Sequence, residues 1–367
     1  MKTLGKTGAL LAVLVASAIA TGCSAAAGND KAGGTRVAGG PVVLLMANTA
    51  SGISAGTPTA DFIRRVHVLS RGSVQIKVVN QWGDFAPTNE VQVIRAVASG
   101  KADLGWSGSE VFDTLGVPAF GALSAPMLID NYPLEAAVLK TAMPARLLTG
   151  LSRVHVTGLS VLGDGLRHPI AVHRALLALA DWRGLSIGTY DSRVQQQAIR
   201  ALGATPVVAF GPYRVHDLAT GQIQGFELDA QRYVHNVLVQ SARFVTVNVT
   251  LWPLFDVLFA NPARLASLTA QQRGWLVQAA REAAATSVGL ISGMDGSYIR
   301  QACTLGARFV TATPADLADL RQAFAPVNQS MEADSQTGAF MRQIQQLKAT
   351  TPPGAAFTIP SSCAATS

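Results

Sequence analysis

The chain has 367 residues, 49% of them hydrophobic and 14% charged, a length beyond one ordinary core and a composition that excludes a mostly disordered protein. Lys and Arg outnumber Asp and Glu by 29 to 22, but Lys2 and Lys6 sit in the leader and no basic run follows, so a nucleic-acid partner is not expected. Three cysteines are too few for a disulfide scaffold or a multi-cysteine metal protein.

Residues 1–22 read as a signal peptide. Lys2 and Lys6 form its positive end, and Ala9–Ala20 is an apolar stretch too short for a permanent membrane span. Ala20, Thr21 and Gly22 then meet Cys23, which resembles a bacterial lipobox in which Cys23 is acylated. The plainer alternative is an ordinary signal peptide with an incidental cysteine. Residues 23–40, rich in Ala and Gly, read as a flexible tether, so the protein is expected to be lipid-anchored on the outer face of the cytoplasmic membrane. Cys303 and Cys363 are left over, and in an oxidising space such a pair commonly bonds.

Val42–Ala47 is a short apolar run, the signal of a buried strand. Pro58–Ser70 sets Phe62, Ile63, Val66 and Leu69 at helical spacing, and Val74, Ile76 and Val78 alternate as a strand. Asn89–Ala98 is helical again, Gly100 ends it, and Ala102–Trp106 is the next strand. This β-α-β-α-β order predicts a parallel sheet between helices. A second block follows: strands at Val154–Leu162 and Leu185–Tyr190, a helix from Ser192 as its N-cap to Leu202, and a strand at Thr205–Phe210. A short helix at Pro212–Thr220 and strands at Ile223–Glu227 and Phe244–Thr250 come next, with Leu254–Ala260 continuing apolar. Thr269 caps a long helix to about Cys303, with Gly289, Gly293 and Gly296 as weak points. Arg308–Ala312 is the last strand, and helices run from Thr313 to about Lys348.

The fold class read from this order is α/β: a two-lobe, periplasmic-binding-protein-like clamshell with the long helix of the C-terminal half bridging the lobes. Lobe 1 is expected at 41–158 with about 249–284, lobe 2 at 159–248 with about 285–348, and a Pro-rich tail at 349–367. Ligands of such folds sit between the lobes, at the C-terminal ends of strands.

From Leu179 to Asp229 the chain carries Asp181, Gly184-Leu185, Ile187, Leu202-Gly203-Ala204, Pro206, Phe210, Gly221, Gly225 and Glu227 in that order. Upstream stand Gln81-x-Gly83 and Gly100-Lys101-Ala102-Asp103-Leu104-Gly105. This series resembles the TRAP-type (DctP-like) solute-binding proteins over nearly all of the chain after the tether. The resemblance implies capture of a small-molecule solute, delivery to integral membrane permease subunits driven by an ion gradient, and no covalent chemistry. An ATP-driven importer, or a sensor lipoprotein with a signalling partner, would use the same clamshell.

One departure bears on the ligand. Family members carry an Arg after the Ile of the central strand, where it clamps the ligand carboxylate, and here Gly188 stands in that place. Arg167 resembles a second family arginine of the same cleft; it holds an organic anion, or it only pairs with an acid such as Asp164. Gly188 would leave room for a larger ligand, with Tyr190 and Arg193 nearby as substitutes. Phe210 ends a strand and stacks on a ligand or fills the core, and Glu227 reads as a structural acceptor near the hinge. Asn48, Trp82, Trp106 and Asn248 are further ligand candidates by position, with turn or core packing as the alternative for each.

The six histidines show no His-x-x-x-His pattern, and neither a P-loop, a dinucleotide fingerprint nor a Gly-x-Ser-x-Gly elbow appears. No enzyme, no metal and no cofactor are therefore expected. Paired Asp and Glu occur, but without context such pairs read as solvated surface. The protein is expected to act as a monomer.

Overall fold

The computed structural model describes residues 40–354 and 359–363; the leader, Cys23 and the tether lie outside them. Ten strands form the sheet framework. In chain order they are β1 (Val42–Ala47), β2 (Val74–Val79), β3 (Leu104–Gly108), β4 (Thr157–Ala171), β5 (Ser186–Thr189), β6 (Thr205–Val208), β7 (Gly225–Leu228), β8 (Phe244–Thr246), β9 (Trp252–Ala260) and β10 (Arg308–Val310). They lie side by side as β2-β1-β3-β9-β4-β7-β5-β6, with β8 joining β4 to β10.

The first block folds as its pattern predicts. β1 pairs in parallel with β2 and β3, and the intervening helices are Pro58–Leu69 and Asn89–Ala98. The first helix starts cleanly, with Pro58 at a position that needs no N–H donor and the Thr57 hydroxyl accepting from the Ala60 N–H at 3.3 Å. The second block repeats the plan with β5 parallel to both β6 and β7. Ser192 caps its helix, Arg193–Ala201, by accepting from the Gln195 N–H at 3.2 Å.

β4 joins the two halves. Up to Arg167 it runs antiparallel to β9, and from His168 to Ala171 it runs antiparallel to β7. The sheet thus divides along β4 into two lobes, with the change of partner at Arg167–His168. Sequence reading placed this strand at Val154–Leu162. In the structure Val154 ends a 3-10 turn, His155 takes a left-handed φ of 58°, and the strand begins at Thr157. Gly163, Asp164, Gly165 and Arg167 disguise its second half, because the neighbouring strands bury polar residues there that break the apolar alternation.

Several other bounds move, among them the end of β10, at Val310 rather than Ala312. The Phe244–Thr250 expectation shortens to Phe244–Thr246, β9 starts two residues before Leu254, and β6 stops at Val208, short of Phe210. The long helix, Ala270–Thr304, stays continuous through its glycines, because Gly289 and Gly293 face open space while Ala279, Ala283, Ser287 and Ile291 are buried. Between β3 and β4 the chain forms 3-10 turns at Ser109–Asp113 and Pro118–Ser124 and helices at Tyr132–Leu139 and Met143–Thr149, none of which the sequence pattern announced.

Cys303, in the last turn of the long helix, is bonded to Cys363, with Cα atoms 5.4 Å apart. The bridge closes a loop of 60 residues. Constraining a loop of that length in the unfolded chain contributes about 4 kcal/mol. No helix among the described residues is long and apolar enough to cross a membrane.

Candidate functional site

A cavity of about 630 Å³ opens at the strand ends. The first half of the chain contributes Gln81, Phe85, Glu90 and Trp106, and the second half contributes Tyr190, Phe210 and Arg232. Arg167, from the point where β4 changes partner, lies between them. An adjoining recess of about 370 Å³ shares Trp106 and Arg232 and adds Asp164 and Asp256.

Four sequence-predicted residues therefore come together: Arg167, Trp106, Tyr190 and Phe210. Tyr190 meets Phe210 edge-on, ring centres 5.6 Å apart, and carries the Arg167 guanidinium over its face at 3.9 Å. Trp106 gives its indole N–H to Asn48 Oδ1 at 3.2 Å, which leaves its ring as an apolar wall. Asn48 itself is fully buried and does not line the cavity; its amide donates to Asn80 Oδ1 at 2.8 Å and to the Ala50 carbonyl. Asn248 is also turned elsewhere, bonding Ala312 through both its amide groups at 2.7 and 2.8 Å. Trp82 packs against the core of the first lobe. Arg193 is exposed and donates to the Thr114 carbonyl at 3.3 Å.

Arg167 is not an open clamp. Its side chain is 0% exposed, Nη2 donates to Glu110 Oε1 at 3.1 Å, and Nη1 donates to Glu227 Oε2 at 3.3 Å. Burial works against the charge, but Glu227 and Glu110 outweigh it and raise the Arg167 pKa further. Asp164, the partner weighed from sequence, bonds Arg232 instead at 2.6 Å. Glu227 is the acceptor expected of it, taking the Thr189 hydroxyl at 3.0 Å as well as Arg167; burial nonetheless pushes its pKa up.

The space beside Gly188 is filled. A Cβ there would stand 3.0 Å from Ile223 Cδ1 and 3.3 Å from Phe226 Cβ, so the missing side chain leaves no extra room for ligand. Buried Arg214 lies 5.4 Å from the Phe226 ring and 5.3 Å from that of Tyr190, held by the Ala209 carbonyl at 2.9 Å.

Glu90 and Glu110 were not singled out from sequence. Glu90 lines the cavity from the Asn89–Ala98 helix and accepts the Gly108 N–H at 2.8 Å. Burial, reinforced by Glu110, pushes its pKa up to about 8. Glu110 reaches Arg167 past Gly108, where an added methyl would overlap the Glu110 carboxylate. Arg232 holds Asp164 and Asp229; burial opposes its charge, and those two acids raise its pKa well above the usual value. Gln81, Asp84 and Phe85 take left-handed φ values of 50–57° in one short loop. Gln81-x-Gly83 was the only local hint of that loop. Glu90 and Glu110 carried no signal, because their partners Gly108 and Arg167 are far away in sequence. Among the described residues no cluster suited to a metal ion occurs.

The sequence profile of bacterial extracellular solute-binding protein, family 7, matches residues 47–334. The chain belongs to that family. Its members are solute receptors rather than enzymes, and they work outside the cytoplasm. Solved TRAP periplasmic solute-binding proteins share the fold. One from a Polaromonas species, bound to D-erythronate, superposes with a TM-score of 0.74 at 19% identity, over 83% of this chain and 98% of that one. One from Anaerococcus prevotii with bound D-glucuronate gives 0.75 at 15% identity, over 85% and 99%. One from Shewanella oneidensis with bound succinate gives 0.74 at 19% identity, over 84% and 99%. A Sinorhizobium fredii protein, y4mM, is 25% identical over 226 residues, 61% of this chain; the match spans only 41% of that relative's length.

Proposed function

We propose that this protein is the solute receptor of a TRAP-type secondary transporter. It takes a small organic solute into the cavity between its lobes, closes by bending, and presents the closed form to integral permease subunits. Closure is a population shift driven by contacts the solute makes only in the shut form. The observation that carries this reading is the cavity of about 630 Å³, walled from both halves of the chain and placed at strand ends of a family 7 fold. Lipidation at Cys23, after removal of residues 1–22, would tether the receptor to the outer face of the cytoplasmic membrane. On the same reading the first crossing between lobes falls at Arg167–His168, where β4 changes partner, rather than near 158, and the later bound stays near 248.

By likeness to the carboxylates held by the structural neighbours, an organic anion on Arg167 is one candidate solute. That pose requires Glu110 or Glu227 to yield its place on the guanidinium.

Trp106 lines the cavity and reports on it directly. Titration of the purified protein with diacids, uronates, amines and neutral aromatics, followed by tryptophan fluorescence, should show saturable binding of one class. Phe210→Ala should weaken that binding about tenfold, the scale of losing one aromatic contact. No saturable change with any class would refute the receptor reading. Palmitate labelling of the native chain but not of Cys23→Ala tests the anchor.

A further inference from the structure

We infer that the solute is an organic cation, a small amine with an apolar body, whose ammonium group is held by Glu90 against the aromatic wall of the cavity. This rests on the receptor reading and departs from it only in the charge of the ligand.

Four observations carry it. The cations that line the cavity, Arg167 and Arg232, each hold two carboxylates already: Glu110 and Glu227 on one, Asp164 and Asp229 on the other. An incoming anion would meet acids already seated on both guanidinium groups, with only the buried Nε–H of Arg167 left without a partner among its donors. Second, the position that supplies a carboxylate clamp by resemblance is Gly188, and Ile223 and Phe226 fill the space beside it.

Third, Glu90 is 7% exposed and lines the cavity, and only one of its oxygens is used. Oε1 accepts from the Gly108 N–H at 2.8 Å, while among the described residues nothing donates to Oε2. Once ionised, a buried carboxylate with a spare oxygen has an unmet need for a donor. An ammonium supplies three donors together with the positive charge that ionised Glu90 lacks. Burial and Glu110 keep the proton on Glu90 near neutral pH, so a bound cation would displace it.

Fourth, the cavity that Glu90 lines also carries aromatic rings. Trp106, from β3, lines the same cavity as Glu90. With its N–H given to Asn48, the indole offers only its ring, and Phe85 and Phe210 add two more. Ring faces attract cations and do nothing for carboxylates.

The test is calorimetric titration of the purified protein at pH 7 with three probes of equal shape, 2-phenylethylamine, 2-phenylethanol and phenylacetate, with succinate and D-glucuronate alongside. The amine should bind at least tenfold tighter than phenylacetate. Glu90→Gln should cut the amine's affinity tenfold or more and leave the alcohol unchanged, as loss of a buried charge pair does. Gln preserves the acceptor for the Gly108 N–H and mimics the protonated acid, and the ranking of probes on the unmutated protein needs no variant at all. Tightest binding by any carboxylate overturns the cation assignment and leaves the receptor standing. Equal binding of amine and alcohol also overturns it, since charge would then play no part. A flat response to all five compounds removes both readings.

Discussion

Arg167 and Arg232 line the same cavity and each carries two carboxylates, yet they are built differently. Arg232 takes one partner, Asp229, from the cap of its own short helix three residues away, and its side chain remains 22% exposed. Arg167 takes both partners from afar, 57 residues before it and 60 after it, and has no exposure. Its contacts are also longer, 3.1 and 3.3 Å against 2.6 and 3.0 Å. One is half local, and its guanidinium is open to water. The other is a knot tied only by the finished fold. An arginine in a binding cleft is therefore not evidence of an anion site until its partners are counted.

The comparison is most directly broken by removing each guanidinium. Arg167→Met should cost about 3–5 kcal/mol of unfolding free energy, the penalty for stranding buried carboxylates. Arg232→Met should cost about 1–3 kcal/mol, because Asp164 and Asp229, though buried, each keep a backbone N–H donor. Urea midpoints decide this, and equal losses would erase the distinction. Replacing the whole knot, Arg167→Met with Glu110→Gln and Glu227→Gln, should recover most of the first loss.

A pH series sharpens the contrast from the acid side. Glu90 holds its proton more tightly when folded, near pH 8 against an ordinary value of 4.5, so the folded state binds more protons between those limits. Its contribution is present at low pH and is lost as pH rises through roughly 5 to 8. Against Glu90→Gln, the native protein should lose about 1 kcal/mol more per pH unit over that window. A difference that stays flat would place Glu90 in water. The smallest effect belongs to Gly188→Ala, which should destabilise by about 1 kcal/mol through crowding of Ile223 and Phe226. Titration with succinate should show no gain in affinity from it.

The first block, β1 to β3, was legible because apolar periodicity and capping residues are local signals. The ordered glycines and Phe210 pointed to the family and to one wall of the site. Trp106 and Tyr190 were readable as residues at strand ends. The second half of β4 was not, since its ladder is stabilised by neighbours that bury Asp164 and Arg167. Glu90 and Glu110 were invisible for the same reason. Acids read as solvated surface when only their own segment is seen, and Glu110 is buried by a 3-10 turn that no periodicity marks. Asn48 and Asn248 misled in the opposite sense: polar residues at strand ends suited a ligand, but turn and loop backbone claimed their amides.

The pairing of β3 with β9 sets Leu104 opposite Ala260. The sheet of the first lobe is therefore incomplete until a segment some 150 residues later is available, after β5, β6 and β7 have been made. The second lobe waits in turn for β10, beyond the long helix. Neither lobe can finish during synthesis of its own residues, so the chain remains without its native sheets for most of its passage from the ribosome. Contacts of such long sequence separation also make folding slow. A chain wired this way matures as one unit, late, and a truncation that spares an entire lobe on paper removes the strands that lobe depends on.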